Sequence, residues 1–134
     1  MNDTDRPLGL QVAADPSAPA IVHAELRRWF GQVGVRGWVV DDLLVASDEI
    51  CFETILVPGV TRIEVRGTVH DGVVHLTVTS DRRRKEVRLV PTASGIEVVD
   101  DIADELDLVR QVADTLAIRT LPDRTIVELT KALG

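Results

Sequence analysis

The chain has 134 residues and 45% apolar content, the size of one domain with enough material for a continuous core. Its formal charge of −7 argues against a phosphate-backbone partner, which is held by Lys and Arg displacing counterions, and two Phe, two Trp and no Tyr leave few rings for stacking bases. No apolar run approaches the ~20 residues of a bilayer span, and a lone Cys51 with no basic-then-apolar signal at the N-terminus points to the cytoplasm.

Residues 1–6 are polar and are expected to be loose, leaving 7–134 as a single domain. Leu8-Gly9-Leu10-Gln11-Val12 alternates apolar and polar as a half-buried strand does. Asp15-Pro16-Ser17-Ala18-Pro19 breaks that strand and supplies helix-start chemistry, because Asp15 or Ser17 can accept from unpaired N–H groups. Ile21, Leu26, Trp29, Phe30 and Val33 then recur at helical spacing up to Gly34, which suits a helix end. A second helix is predicted from about Val40 to Leu56. It carries Leu43, Leu44, Ser47, Ile50, Cys51 and Thr54 on one broad side, with Asp41, Asp42, Asp48, Glu49 and Glu53 around it. Asp41 and Asp42 favour its N-terminus through the helix dipole, and Pro58-Gly59 ends it. Cys51 reads as a small buried hydrophobe, since no basic neighbour in the local sequence lowers its pKa.

Two alternating stretches, 61–69 and 73–79, flank His70-Asp71-Gly72, where the Asp-Gly pair marks a hairpin. Asp81-Arg82-Arg83-Arg84-Lys85 is a basic run that reads as a solvated loop. Val87-Arg88-Leu89-Val90 reads as a short strand before Pro91. From about Glu97 to Thr115 apolar residues recur at helical spacing, interrupted by Asp100, Asp101, Asp104, Glu105 and Asp107, so two helical pieces are predicted. Stretches 117–121 and 125–129 close the chain as a hairpin around Pro122-Asp123-Arg124. The order β-α-α-β-β-(β)-α-β-β predicts an α/β two-layer sandwich: a mixed, mostly antiparallel sheet with helices on one face. His23, His70 and His75 show no metal-ligand spacing.

This order, with the stretch Leu43-Leu44-Val45-Ala46-Ser47-Asp48-Glu49-Ile50-Cys51-Phe52-Glu53, resembles the GHKL ATPase fold in the version used by bacterial anti-sigma-factor serine kinases of the RsbW and SpoIIAB type. The family's helix reads leucine-rich and then Glu-x-x-x-Asn. The similarity runs from Leu8 to Leu133, and Leu108-Val109-Arg110-Gln111-Val112-Ala113-Asp114 resembles the family's ending. The resemblance implies that Glu49 stands where the general base stands, and Glu53 where an Asn coordinates the Mg²⁺ of bound ATP. It places Asp81 where an Asp accepts from the adenine amino group.

The motifs depart from the family at these same places. Glu53 replaces Asn; a carboxylate can ligate Mg²⁺, but it adds a like charge one helical turn from Glu49. Arg83 and Lys85 stand where glycines should let the backbone approach the ligand. Asp104-Glu105-Leu106-Asp107 replaces the second glycine box, so carboxylates face the place where phosphate is cradled at a helix N-terminus. The implied function is a regulatory module that grips a sigma factor, a STAS-type anti-anti-sigma protein, or both, with little or no kinase activity and no cofactor. One alternative is an active ATP-dependent serine protein kinase with Glu49 as base and Glu53 as metal ligand. Another is a structural or dimerisation domain, since the family often forms homodimers.

Overall fold

The computed structural model describes residues 6–82, 87–100 and 106–134. The elements run β1 (Leu8–Ala13), α1 (Ala18–Val33), α2 (Trp38–Ile55), β2 (Arg62–His70), β3 (Val73–Ser80), β4 (Val87–Thr92), β5 (Gly95–Asp100), α3 (Asp107–Val112), β6 (Thr115–Leu121) and β7 (Arg124–Ala132). Five strands form one sheet in the order β1-β2-β3-β7-β6. Every pairing within it is antiparallel, so the sheet is antiparallel throughout rather than mixed.

Period-two patterning decides which face of the sheet is covered. Ile63, Val65, Val74, Leu76, Val78, Val127 and Leu129 are buried, while the alternate positions Arg62, Arg66, Thr68 and His75 are exposed. A strand places successive side chains on opposite faces, so the helices pack on the first set. Helix α1 contributes Val22, Leu26, Trp29, Phe30 and Val33 to that core, and α2 contributes Val39, Leu43, Leu44, Ala46, Ile50 and Cys51. The two-layer sandwich is the arrangement expected from the sequence. Cys51 is fully buried, and burial followed by the nearby Asp48 charge pushes its thiol up to about 12.

The turn signals act as their chemistry requires. Asp71 and Gly72 both take positive φ, 51° and 73°, the geometry of the tight hairpin turn that an Asp-Gly pair accommodates. Asp15 accepts from the backbone N–H of Ser17 at 2.8 Å and from its hydroxyl, which turns the chain into α1. Gly34 caps the far end of α1 in the left-handed conformation, φ 79°.

One expectation fails after β3. The helical spacing seen from about Glu97 does not produce a helix there: Gly95–Asp100 is a strand, paired antiparallel with Val87–Thr92 in a separate two-stranded sheet. Gly95, at φ 135°, takes a hairpin turn that only glycine adopts freely. Ile96, Val98 and the β-branched Val99 satisfy a strand as well as a helix, and over so short a run periodicity does not separate them. Among the described residues of this stretch the helix is Asp107–Val112, and β6 begins at Thr115; residues 101–105, on which part of the two-piece expectation falls, lie outside the described residues. The predicted strand at 87–90 is present and extends through Pro91 to Thr92.

Trp29 seals α1 against the sheet. Its indole N–H donates to the Arg6 carbonyl at 2.7 Å, and its ring lies over Gly67 in β2. A Cβ at position 67 would sit 2.8 Å from the Trp29 ring and 3.1 Å from Leu76, closer than carbon atoms approach. Gly67→Ala is therefore expected to destabilise the fold by about 1–3 kcal/mol, the usual range for overpacking a filled core, measured by chemical denaturation. An unchanged midpoint would show that the indole has room to move.

Candidate functional site

Helix α2 brings Glu49 and Glu53 to one side, one helical turn apart. Helix α3 comes to meet them because Leu106 and Val109 are fully buried, which anchors the start of this short helix in the core. Asp107 therefore stands at the first helical position, close enough for its charge to act on Glu49. The Leu108 backbone N–H, one of the donors that a helix start leaves without an intrahelical partner, lies near enough to the Glu49 carboxylate to favour its charged form. Glu49 thus faces the start of α3 from a neighbouring helix.

The electrostatics of this arrangement are unfavourable to charge. Burial pushes the Glu49 carboxyl up from its ordinary value; the Leu108 N–H pulls it down; the charges of Glu53 and Asp107 push it up further, and the net effect is upward. Its Oε2 is the one buried side-chain oxygen or nitrogen without a hydrogen-bond partner among the described residues. A buried oxygen in that state favours the protonated acid.

Asp81 is used differently. At the end of β3, its Oδ1 accepts from the backbone N–H groups of Thr61 at 2.8 Å and Arg62 at 3.1 Å, and its Oδ2 accepts from the Thr61 hydroxyl. Burial raises its pKa, but these hydrogen bonds outweigh burial and hold it down at about 2. Asp81 fastens the start of β2 to the end of β3. It lines a cavity of about 320 Å³ with Gln11, Arg62, Glu64, Thr79 and Arg124, of which Arg62, Glu64 and Thr79 alternate with core residues of β2 and β3. Neither Glu49 nor Glu53 lines this cavity. The structure joins Glu49 and Glu53 to Asp107 and commits Asp81 to a backbone turn.

The remaining motif positions divide between described and undescribed residues. Arg83, Lys85, Asp104 and Glu105 lie outside the described residues. Arg82 lies against Gly59, and its carbonyl accepts from the Thr125 hydroxyl at 3.0 Å, so the chain leaving β3 is held against β7. Sequence reasoning missed Lys131. Its ammonium donates to the Val112 carbonyl at 2.6 Å, lies 3.4 Å from the Asp42 carboxylate and sits 5.2 Å from the Trp38 ring centroid. One cation thereby joins β7, α2 and the C-terminal end of α3, where helix carbonyls attract positive charge.

An antiparallel sheet covered on one face by α1, α2 and α3 is an arrangement this chain shares with a solved structure. The crystal structure of the RsbU and RsbW domains of Rv1364c from Mycobacterium tuberculosis superposes on 95% of the chain with a TM-score of 0.73 at 20% identity. The chain spans about a third of that protein's length, 32%. No protein-family profile and no curated protein matches the sequence.

Two substitutions test these assignments. The folded-state pKa of Asp81, about 2, lies below its ordinary 3.8, so its contribution to stability is present above the ordinary value and is lost as pH falls through the folded one. Thermal unfolding across that acid window is expected to show this loss in the native protein and its absence in Asp81→Asn; parallel curves would contradict the assignment. For Glu49 the sign is opposite. Its folded pKa is raised, so its ionisation costs stability as pH rises, while a glutamine oxygen still faces the Leu108 N–H. Glu49→Gln is expected to be at least as stable as the native protein at neutral pH, with the difference closing in acid; a clear loss at neutral pH would show that the charge itself stabilises α3.

Proposed function

We propose that the chain is a regulatory protein-binding module of the anti-sigma type that acts by contact and does not use ATP. The observation that carries this reading is the Glu49 carboxylate facing the start of α3 beside the Leu108 N–H, with the Glu53 and Asp107 charges next to it. A phosphate bound there would compete with a carboxylate already in place and meet two further negative charges. Adenine recognition finds Asp81 engaged on both oxygens by Thr61 and Arg62. These residues do not fit a magnesium triphosphate, and no phosphoryl-transfer step is drawn through them.

The partner class follows from the fold of the Mycobacterium tuberculosis neighbour and from the resemblance of Leu43–Glu53 to the anti-sigma kinases: a sigma factor, a STAS-type antagonist, or both. The cytoplasm, where such partners reside, is the corresponding compartment. A second reading, an active serine kinase, draws support from one observation: a glutamate with a raised pKa suits a general base.

Calorimetric titration with ATP and Mg²⁺ separates the two. The proposal expects no saturable heat and no transfer of phosphate to serine on an antagonist protein. Saturable, magnesium-dependent binding, with transfer abolished in Glu49→Gln, would reinstate the kinase.

A further inference from the structure

We infer that the outward line of α2 is a docking surface for a basic amphipathic helix of a partner protein. The inference rests on the protein-binding reading above and names the surface and the chemistry of what it takes.

The outer side of a helix that packs on a core normally carries polar residues. In α2 it does not. Trp38, Val45 and Phe52 recur every seventh residue and Leu56 follows one turn later, so at 3.6 residues per turn all four fall near one line. They are exposed by 65%, 41%, 55% and 72%. The core-facing side of α2 is already supplied by Val39, Leu43, Leu44, Ala46, Ile50 and Cys51, so the core does not need this second apolar line, of which Trp38 meets the Lys131 ammonium of β7. The patch continues onto α3 through Leu108, 44% exposed, whose N–H meets Glu49.

Charge identifies the occupant. Asp41 and Asp48 flank the line on one side, Asp42, Glu49 and Glu53 on the other, and α2 contains no Lys or Arg. Asp48 meets His23 of α1 at 3.2 Å and Asp42 meets Lys131 of β7 at 3.4 Å. The last turn of α2 holds no basic residue. A helix with an apolar line flanked by Lys or Arg matches the pattern in both respects: it covers the exposed rings and sets cations beside the carboxylates. The line runs about 27 Å, roughly five helical turns. A second copy would place the same carboxylates against each other, and an anionic lipid surface would be repelled likewise.

The full chain itself supplies the probe. Trp29 is 2% exposed and Trp38 65%, so a solvent-sensitive change in emission reports Trp38. A synthetic amphipathic peptide of about 18 residues, long enough to span the line, carries a leucine line flanked by lysines; its twin has glutamate at every lysine. The lysine peptide is expected to bind saturably and shift Trp38 emission to shorter wavelength, and the twin is expected not to bind. Phe52→Asp should weaken binding by about tenfold or more, as loss of an aromatic anchor does, although it adds a negative charge. Asp41→Asn with Asp48→Asn should weaken it and flatten its salt dependence. Equal affinity in Phe52→Asp would reduce the effect to charge alone and overturn the proposal. So would equal binding of the glutamate twin, adsorption to anionic vesicles, or a dimer in sedimentation that Phe52→Asp dissolves. No nucleotide or sigma factor enters this experiment, so its failure leaves the anti-sigma reading to its own test, and the converse also holds.

Discussion

A carboxylate from α2 faces the first turn of α3, and the character of the site follows from that approach. Donors at a helix start need partners and attract anions. Under the proposed function, the Glu49 side chain stands where these donors would otherwise draw an anionic ligand. The cost is electrostatic: Glu53 and Asp107 add like charge, and one Glu49 oxygen is buried without a partner.

The scaffold around this contact is aliphatic and self-sufficient. Trp29 over Gly67 fixes α1 on β2, the buried lines of β2, β3 and β7 receive α1 and α2, and Lys131 fastens the far end of α3. Asp81 belongs to the same economy of parts. Its position at the end of β3 fits a nucleotide contact, yet its hydrogen bonds stabilise the neighbouring strand start. On the outside of α2, Trp38, Val45, Phe52 and Leu56 are left exposed.

Much of this was legible in the sequence, for physical reasons that differ by element. Strict alternation in 61–69 and 73–79 fixed β2, β3 and the Asp71-Gly72 turn, because period two and positive φ have few alternative readings. The buried side of α2 was legible from Leu43, Leu44, Ser47, Ile50, Cys51 and Thr54, all of which are buried. The segment after Glu97 was not, because a short run of Ile and Val satisfies either period and the deciding partner, β4, lies across a turn. At the site, Glu49 and Glu53 were identifiable only through the resemblance of residues 43–53 to the anti-sigma kinases' helix, whereas the Leu108 N–H carries no side-chain signal at all. The exposed line of α2 was present as a seven-residue recurrence of Trp38, Val45 and Phe52. It became meaningful only when the structure showed that other residues already supply the core.

The central claim is that Glu49 occupies the place at α3 that a nucleotide phosphate would need. The most direct measurement follows the Leu108 amide resonance while magnesium and a non-hydrolysable ATP analogue are raised to millimolar concentrations. A resonance that stays in place while Glu49 keeps its position beside it is the result this account predicts. A saturable displacement of Leu108 together with loss of the Glu49 contact would contradict it.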